Sequence, residues 1–161
     1  MRISQSLVLA AVLTLAAVPF VQAAPAPIRQ PSQAAIKTDV RKLIEQIAAL
    51  PRDNRSAERQ QALFDQLIAK GPDAVPTIIA LMDDRRRLAV PAISLVNKSP
   101  DAFEGMRHYG PELMVDALAA VLNQITGEHF GFIYNGASDA ERRATVTAWR
   151  KYLQSQPSPR A

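Results

Sequence analysis

Apolar residues recurring every three or four positions run through most of this chain, and a helix is the structure that gathers such residues on one side. Val40, Leu43, Ile44, Ile47 and Leu50 form the first stripe, within residues 36–50, and Pro51 ends it. Residues 56–70 repeat the pattern through Ala62, Leu63, Leu67 and Ile68, with Phe64 beside them. Gly71 stands where a left-handed helix end is wanted, and Pro72 forbids continuation. Asp73 is placed to cap a third helix with Val75, Ile78, Ile79 and Met82 inward; Pro76 falls in its first turn, where a missing N–H costs little. The fourth helix spans residues 111–126, with Leu113, Met114, Ala117, Leu118, Val121, Leu122 and Ile125 on one face and Gly127 as terminator.

The fifth helix, residues 139–154, carries the clearest start. Ser138 followed by Glu141 spells a capping box, in which each side chain satisfies an orphan N–H of the other's backbone. Its inward set is Ala144 or Thr145, Ala148, Trp149, Tyr152 and Leu153. The expected fold class is therefore all-α: a compact domain of about five helices over residues 36–154.

Two segments stand outside this pattern. Residues 85–103 contain Ala89-Val90-Pro91-Ala92-Ile93, an echo of Ala74-Val75-Pro76-Thr77-Ile78 fifteen residues earlier. That spacing is too short for a helix-pair unit, so the echo reads as coincidence or local duplication. Residues 128–136 place Phe130, Phe132 and Tyr134 on alternate positions. A short strand fits this spacing, but the expectation is a structured loop whose aromatics fold onto the bundle.

The N-terminus reads as an export signal. Arg2 precedes an apolar stretch from Leu7 to Val18, Pro19 breaks it, and Val21-Gln22-Ala23 supplies a small-x-small cleavage pattern. The stretch is about a dozen residues, short of the roughly 20 that span a bilayer. The expected organisation is a signal over residues 1–23, a Pro-rich flexible leader over 24–35, and a disordered tail over 155–161. Such a protein is periplasmic or secreted, with no stable membrane span after cleavage.

With no cysteine, neither disulfides nor thiolate-bound zinc contribute, and His108 and His129 alone make a poor metal site. No cofactor is expected. The net charge of +4 is dispersed, which argues against nucleic acid as a partner. An enzyme needs a nucleophile with a base, paired carboxylates or a metal cluster, and none of these is spelled out. The densest charge, Arg85-Arg86-Arg87, suits an acidic partner or an anionic group through guanidinium forks. Three arginines after a helix end also favour its dipole and pair with Asp83 and Asp84, and this simpler reading is preferred.

Beyond the residue-by-residue reading, the run Gly71-Pro72-Asp73-Ala74-Val75-Pro76-Thr77-Ile78-Ile79-Ala80-Leu81-Met82-Asp83-Asp84 resembles the second-helix opening of HEAT-type repeats. The segment Ile125-Thr126-Gly127-Glu128-His129-Phe130-Gly131, followed by a helix bearing Trp149, is similar to exported bacterial HEAT-like proteins. The chain holds two or three such units and departs from a regular array at residues 85–103. The resemblance implies an antiparallel helix-pair (HEAT/armadillo-like) domain that binds another envelope or secreted protein without catalysis, although fold analogy alone assigns no function. Arg85, Arg86, Arg87, Tyr109, His129 and Tyr134 are the candidate partner-binding residues. The alternative is an envelope enzyme or ligand carrier with a pocket near Tyr109, His129, Phe130 and Tyr134.

Overall fold

The computed structural model describes residues 31–157. The expected export signal, most of the leader and the last four residues lie outside that range. Five α-helices and one small sheet follow in order: α1 (Gln33–Ala48), α2 (Ala57–Ala69), α3 (Val75–Ala80), β1 (Ile93–Val96), β2 (Met106–Tyr109), α4 (Met114–Thr126) and α5 (Asp139–Ser155).

α1 begins three residues before the expected domain start, because the Ser32 hydroxyl accepts the Ala35 N–H and so caps the helix. Its whole apolar stripe is buried, with Ile36 added at the front and Leu50 just past the end. α2 buries Leu63, Phe64 and Leu67 but turns Ala62 outward and carries the polar Gln60 into the core. A 3-10 turn, Gly71–Ala74, occupies the expected start of the third helix, so α3 is only six residues long. Val75, Ile78, Ile79 and Met82 are buried as expected.

α4 is the centre of the molecule. Instead of a single apolar face it buries residues all round, including Val115, Asp116, Ala119 and Ala120, and it contacts α2, α3, α5 and β1. Gly127 ends it with φ +79°, a left-handed conformation that lacks a Cβ penalty only in glycine. α5 starts at the expected capping box: the Ser138 N–H and hydroxyl both donate to the Glu141 carboxylate, at 2.8 and 2.7 Å, and the Ser138 hydroxyl accepts the Glu141 N–H.

A buried ion pair joins the last two helices. The Arg142 guanidinium donates from Nε and one terminal nitrogen to the two Asp116 oxygens, at 2.7 and 2.8 Å, and Asp116 is fully enclosed. Asp116 also accepts the N–H groups of Glu112 and Leu113 and so closes the start of α4. The Asp116 hydrogen bonds hold the Arg142 guanidinium above its ordinary range, against the opposing cost of burial.

The all-α expectation needs one correction. Within residues 85–109 the chain forms an antiparallel hairpin, β1 on β2, with Ile93 opposite Tyr109 and Val96 opposite Met106. Ile93 and Leu95 alternate inward and are buried against the helices, which a helix over the same residues would not achieve in this position. The echoed pentads also separate here: Ala74-Val75-Pro76-Thr77-Ile78 enters α3, whereas Ala89-Val90-Pro91-Ala92-Ile93 enters β1.

Candidate interaction surface

The hairpin alternates along each strand. Ile93 and Leu95 of β1 face the helices while Val96 faces out; on β2, Arg107 and Tyr109 are half-buried while Met106 and His108 are exposed. Among large apolar residues, Val96 is 54% exposed, Met106 39% and Phe103, in the connecting loop, 100%. Val96 and Met106 are direct cross-strand partners, so the apolar exposure is concentrated at the loop end of one hairpin. Asn97 and Gly105 extend the pairing by one step, the Asn97 N–H donating to the Gly105 carbonyl at 2.9 Å.

Side chains hold this end of the hairpin to the helices. Arg107 donates to the Asn123 and Gln124 side chains at 3.1 and 2.8 Å, and the Lys98 ammonium donates to the Gln124 carbonyl at 2.8 Å. These contacts sit in the last turn of α4, where a cation complements the helix dipole. On the other side, α2 closes the free edge of the sheet. Gln60 donates to the carbonyls of Val90 and Ala92 and accepts the Val90 N–H. Gln61 does the same for both main-chain groups of Ser94, each at 2.8 Å. Two neighbouring glutamines thereby stand in for a third strand.

Behind the hairpin lies an aromatic group. Tyr109 and Tyr134 have ring centroids 5.1 Å apart, Phe132 stands 5.0 Å from Tyr134, and the Arg107 guanidinium lies 5.8 Å from the Tyr109 ring. Phe132 is 66% exposed and sits edge-on to Tyr109. Burial pushes the Tyr134 hydroxyl up to about 12, and that hydroxyl and Arg107 Nε are both buried without a hydrogen-bond partner.

The expected pocket around Tyr109, His129, Phe130 and Tyr134 comes apart in the structure. Tyr109 and Tyr134 pack together, but His129 is exposed, and Phe130 packs edge-on against Trp149 at 4.8 Å. Phe130 lines a separate groove of about 420 Å³ with Phe132, Ile133 and Ala148. Of the loop aromatics, only Phe132 remains largely outside the bundle.

The arginine triplet is exposed, but its members differ. Arg86 forks onto Glu45 at 2.7 and 2.9 Å and onto Asp84 at 2.6 to 3.0 Å, so it clamps α1 to the segment leaving α3. Both carboxylates hold the Arg86 guanidinium far above its ordinary range, Asp84 more strongly. Asp83 pairs with Arg150 of α5 instead of with the triplet.

Val96, Phe103, Met106 and the two glutamines were not singled out from the sequence. The sequence carried little period-two signal: Ile93-Ser94-Leu95 alternates, but Val96 breaks the pattern and Met106-Arg107-His108-Tyr109 does not alternate.

Among the described residues no group of three His, Asp or Glu side chains is arranged to hold a metal ion, and no helix is long and apolar enough to cross a membrane. Comparison with protein-family models, curated proteins and solved structures finds no match. The hairpin surface therefore has to be read from its own chemistry.

Proposed function

We propose that this chain is an exported, non-catalytic, HEAT-like helical domain that binds another envelope or secreted protein through the apolar end of its hairpin. The observation that carries the reading is the exposure of Val96, Phe103 and Met106 together on one hairpin. Single exposed apolar residues are ordinary, but a cluster of large ones on a braced element marks an interaction site. The bracing by Arg107, Lys98, Gln60 and Gln61 supports it further, since a held surface loses little conformational entropy on binding. The helix pair α1–α2 and the turn into α3 support the resemblance to helix-pair repeats.

The test is a photo-crosslinking residue placed at Phe103 in the full chain, expressed where it is exported. The expected result is a discrete adduct that disappears in a Val96→Asp/Met106→Asp background. The same probe at Arg85 is expected to give none. Equal labelling from both positions would sink the reading, and intact Met1 in the exported protein would rule out cleavage of the signal.

A second reading, a carrier of a small ligand, draws on Tyr134 and Arg107. The Tyr134 hydroxyl and Arg107 Nε are each buried without a hydrogen-bond partner, so each is able to take one from a ligand. Under this reading a Tyr134→Phe change weakens uptake of polar small molecules while leaving the Phe103 adduct intact, which separates the two readings.

A further inference from the structure

The two edges of the hairpin are treated differently. Since Asn97 and Gly105 form a hydrogen-bonded pair, the alternation of an antiparallel ladder makes Leu95–Arg107 and Ile93–Tyr109 hydrogen-bonded pairs as well. The N–H and C=O groups of Ser94 then point away from β2, and Gln61 takes both. By the same alternation the main-chain groups of Met106 and His108 point away from β1. Among the described residues no hydrogen bond reaches them.

We propose that this outer edge of β2 accepts an extended peptide segment of the partner protein as a third strand, an inference that rests on the hairpin being the binding end. The ligand chemistry follows from the groups on offer. Two residues' worth of outward N–H and C=O groups, spaced one apart, match an extended backbone and no other regular structure. The added strand's outward side chains lie beside Met106 and His108, and its inward ones lie toward Tyr109 and the exposed Phe132, so apolar residues are favoured inward and small polar or β-branched ones are accepted outward. His108 is tied across the hairpin through Nδ1 to the Ser94 hydroxyl at 2.9 Å, which fixes its ring on the outward face while its main-chain groups point to the open edge.

Size argues for a peptide over a second copy of this chain. β2 has four residues, a length of roughly 13 Å, whereas two globular copies need roughly 800 Å² on each side for a stable interface. A flexible segment of about four or five residues matches the edge by itself. Its main chain supplies affinity, and the apolar side chains supply selection.

The experiment uses the full chain without its export signal, isotopically labelled, and a heptapeptide of alternating valine and threonine between terminal lysines. Added peptide is expected to slow hydrogen exchange at the Met106 and His108 amides and to shift resonances along β2. N-methylating alternate peptide amides is expected to abolish this effect without touching the protein. His108→Pro removes one outward N–H at a position where an edge strand tolerates proline, and is expected to weaken binding about fivefold to tenfold. Shifts confined to Phe103 and Val96 that survive both changes overturn the strand inference while leaving the apolar-hairpin reading intact. Absence of any shift at millimolar peptide overturns it too. A doubled mass in light scattering, with both amides already protected in the free protein, assigns the edge to a second copy and also overturns it. Loss of the Phe103 crosslink's specificity strikes the hairpin reading itself, which keeps the two failures apart.

Discussion

The Gln61 carboxamide donates to the Ser94 carbonyl and accepts the Ser94 N–H, both at 2.8 Å, so a helix side chain completes a strand edge as a neighbouring peptide would. Gln60, one residue earlier and almost fully buried, serves Val90 and Ala92 in the same way. The sheet is thereby fastened to α2 on one side and left open on the other.

Gln60→Leu keeps the buried volume but strands the Val90 N–H and the Ala92 carbonyl, while the Val90 carbonyl keeps the Ala92 N–H. A loss of about 2–4 kcal/mol is expected in urea unfolding, against about 1 kcal/mol for the half-exposed Gln61→Ala. Equal effects from the two would contradict the division of labour between them.

Asp116 serves both Arg142 and the start of α4. Asp116→Ala leaves the buried Arg142 guanidinium with only the exposed carboxylates of Glu112 at 3.5 Å and Asp139 at 4.0 Å, and is expected to cost about 3 kcal/mol. Replacing both partners, as Asp116→Leu with Arg142→Met, is expected to recover most of that loss, because no buried charge remains. The part left unrecovered, about 1 kcal/mol, is the lost cap on the Glu112 and Leu113 N–H groups. Thermal unfolding of the single and double variants checks both statements.

Tyr134 sets an alkaline limit. Its hydroxyl ionises near 12 in the folded protein and near 10 when unfolded, so the folded state holds a proton that the unfolded state releases between those values. Stability is therefore expected to fall as pH rises above about 10, and spectrophotometric titration should show one of the three tyrosines ionising late. Tyr134→Phe should abolish the late transition and flatten the decline. Because the hydroxyl has no partner, that variant is expected to be as stable as the parent, or more so, at neutral pH.

At the acid end the sign reverses. The Ser138 hydroxyl and N–H hold the Glu141 carboxyl below its ordinary 4.5, and the Arg86 guanidinium lowers Glu45 in the same direction. Both contributions are fully present above the unfolded value and are lost as pH falls through the lower folded values. Ser138→Ala is expected to cost about 1 kcal/mol at neutral pH. Melting curves from pH 7 to pH 2 should show a shallower acid decline in that variant than in the parent.

Where local chemistry decides conformation, the one-dimensional reading and the structure agree. The α1 stripe is buried residue by residue, Gly127 ends α4 in the left-handed region, and Ser138 with Glu141 opens α5. Each depends on residues within one or two helical turns of each other. The misses have the opposite character. Gln60, Asp116 and Arg142 are buried although polar, because their partners lie 26 to 32 residues away. The residues expected around one pocket divide for a related reason: Tyr134 packs with Tyr109 and Phe132, Phe130 turns to Trp149 and Tyr152 of α5, and His129 is exposed.

The paired Ala-Val-Pro-x-Ile runs show where the boundary falls. By itself the sequence determined the greasy helix stripes, their stops at Pro51 and Gly127 and the capping box, since these follow from side-chain spacing and backbone preference. It did not determine that the first run would wind into α3 and the second extend into β1. Five residues of nearly the same composition have little intrinsic preference between the two. The tertiary structure decided, because Gln60 accepts the Val90 N–H and donates to the Val90 and Ala92 carbonyls, main-chain groups that a helix would have had to satisfy within itself.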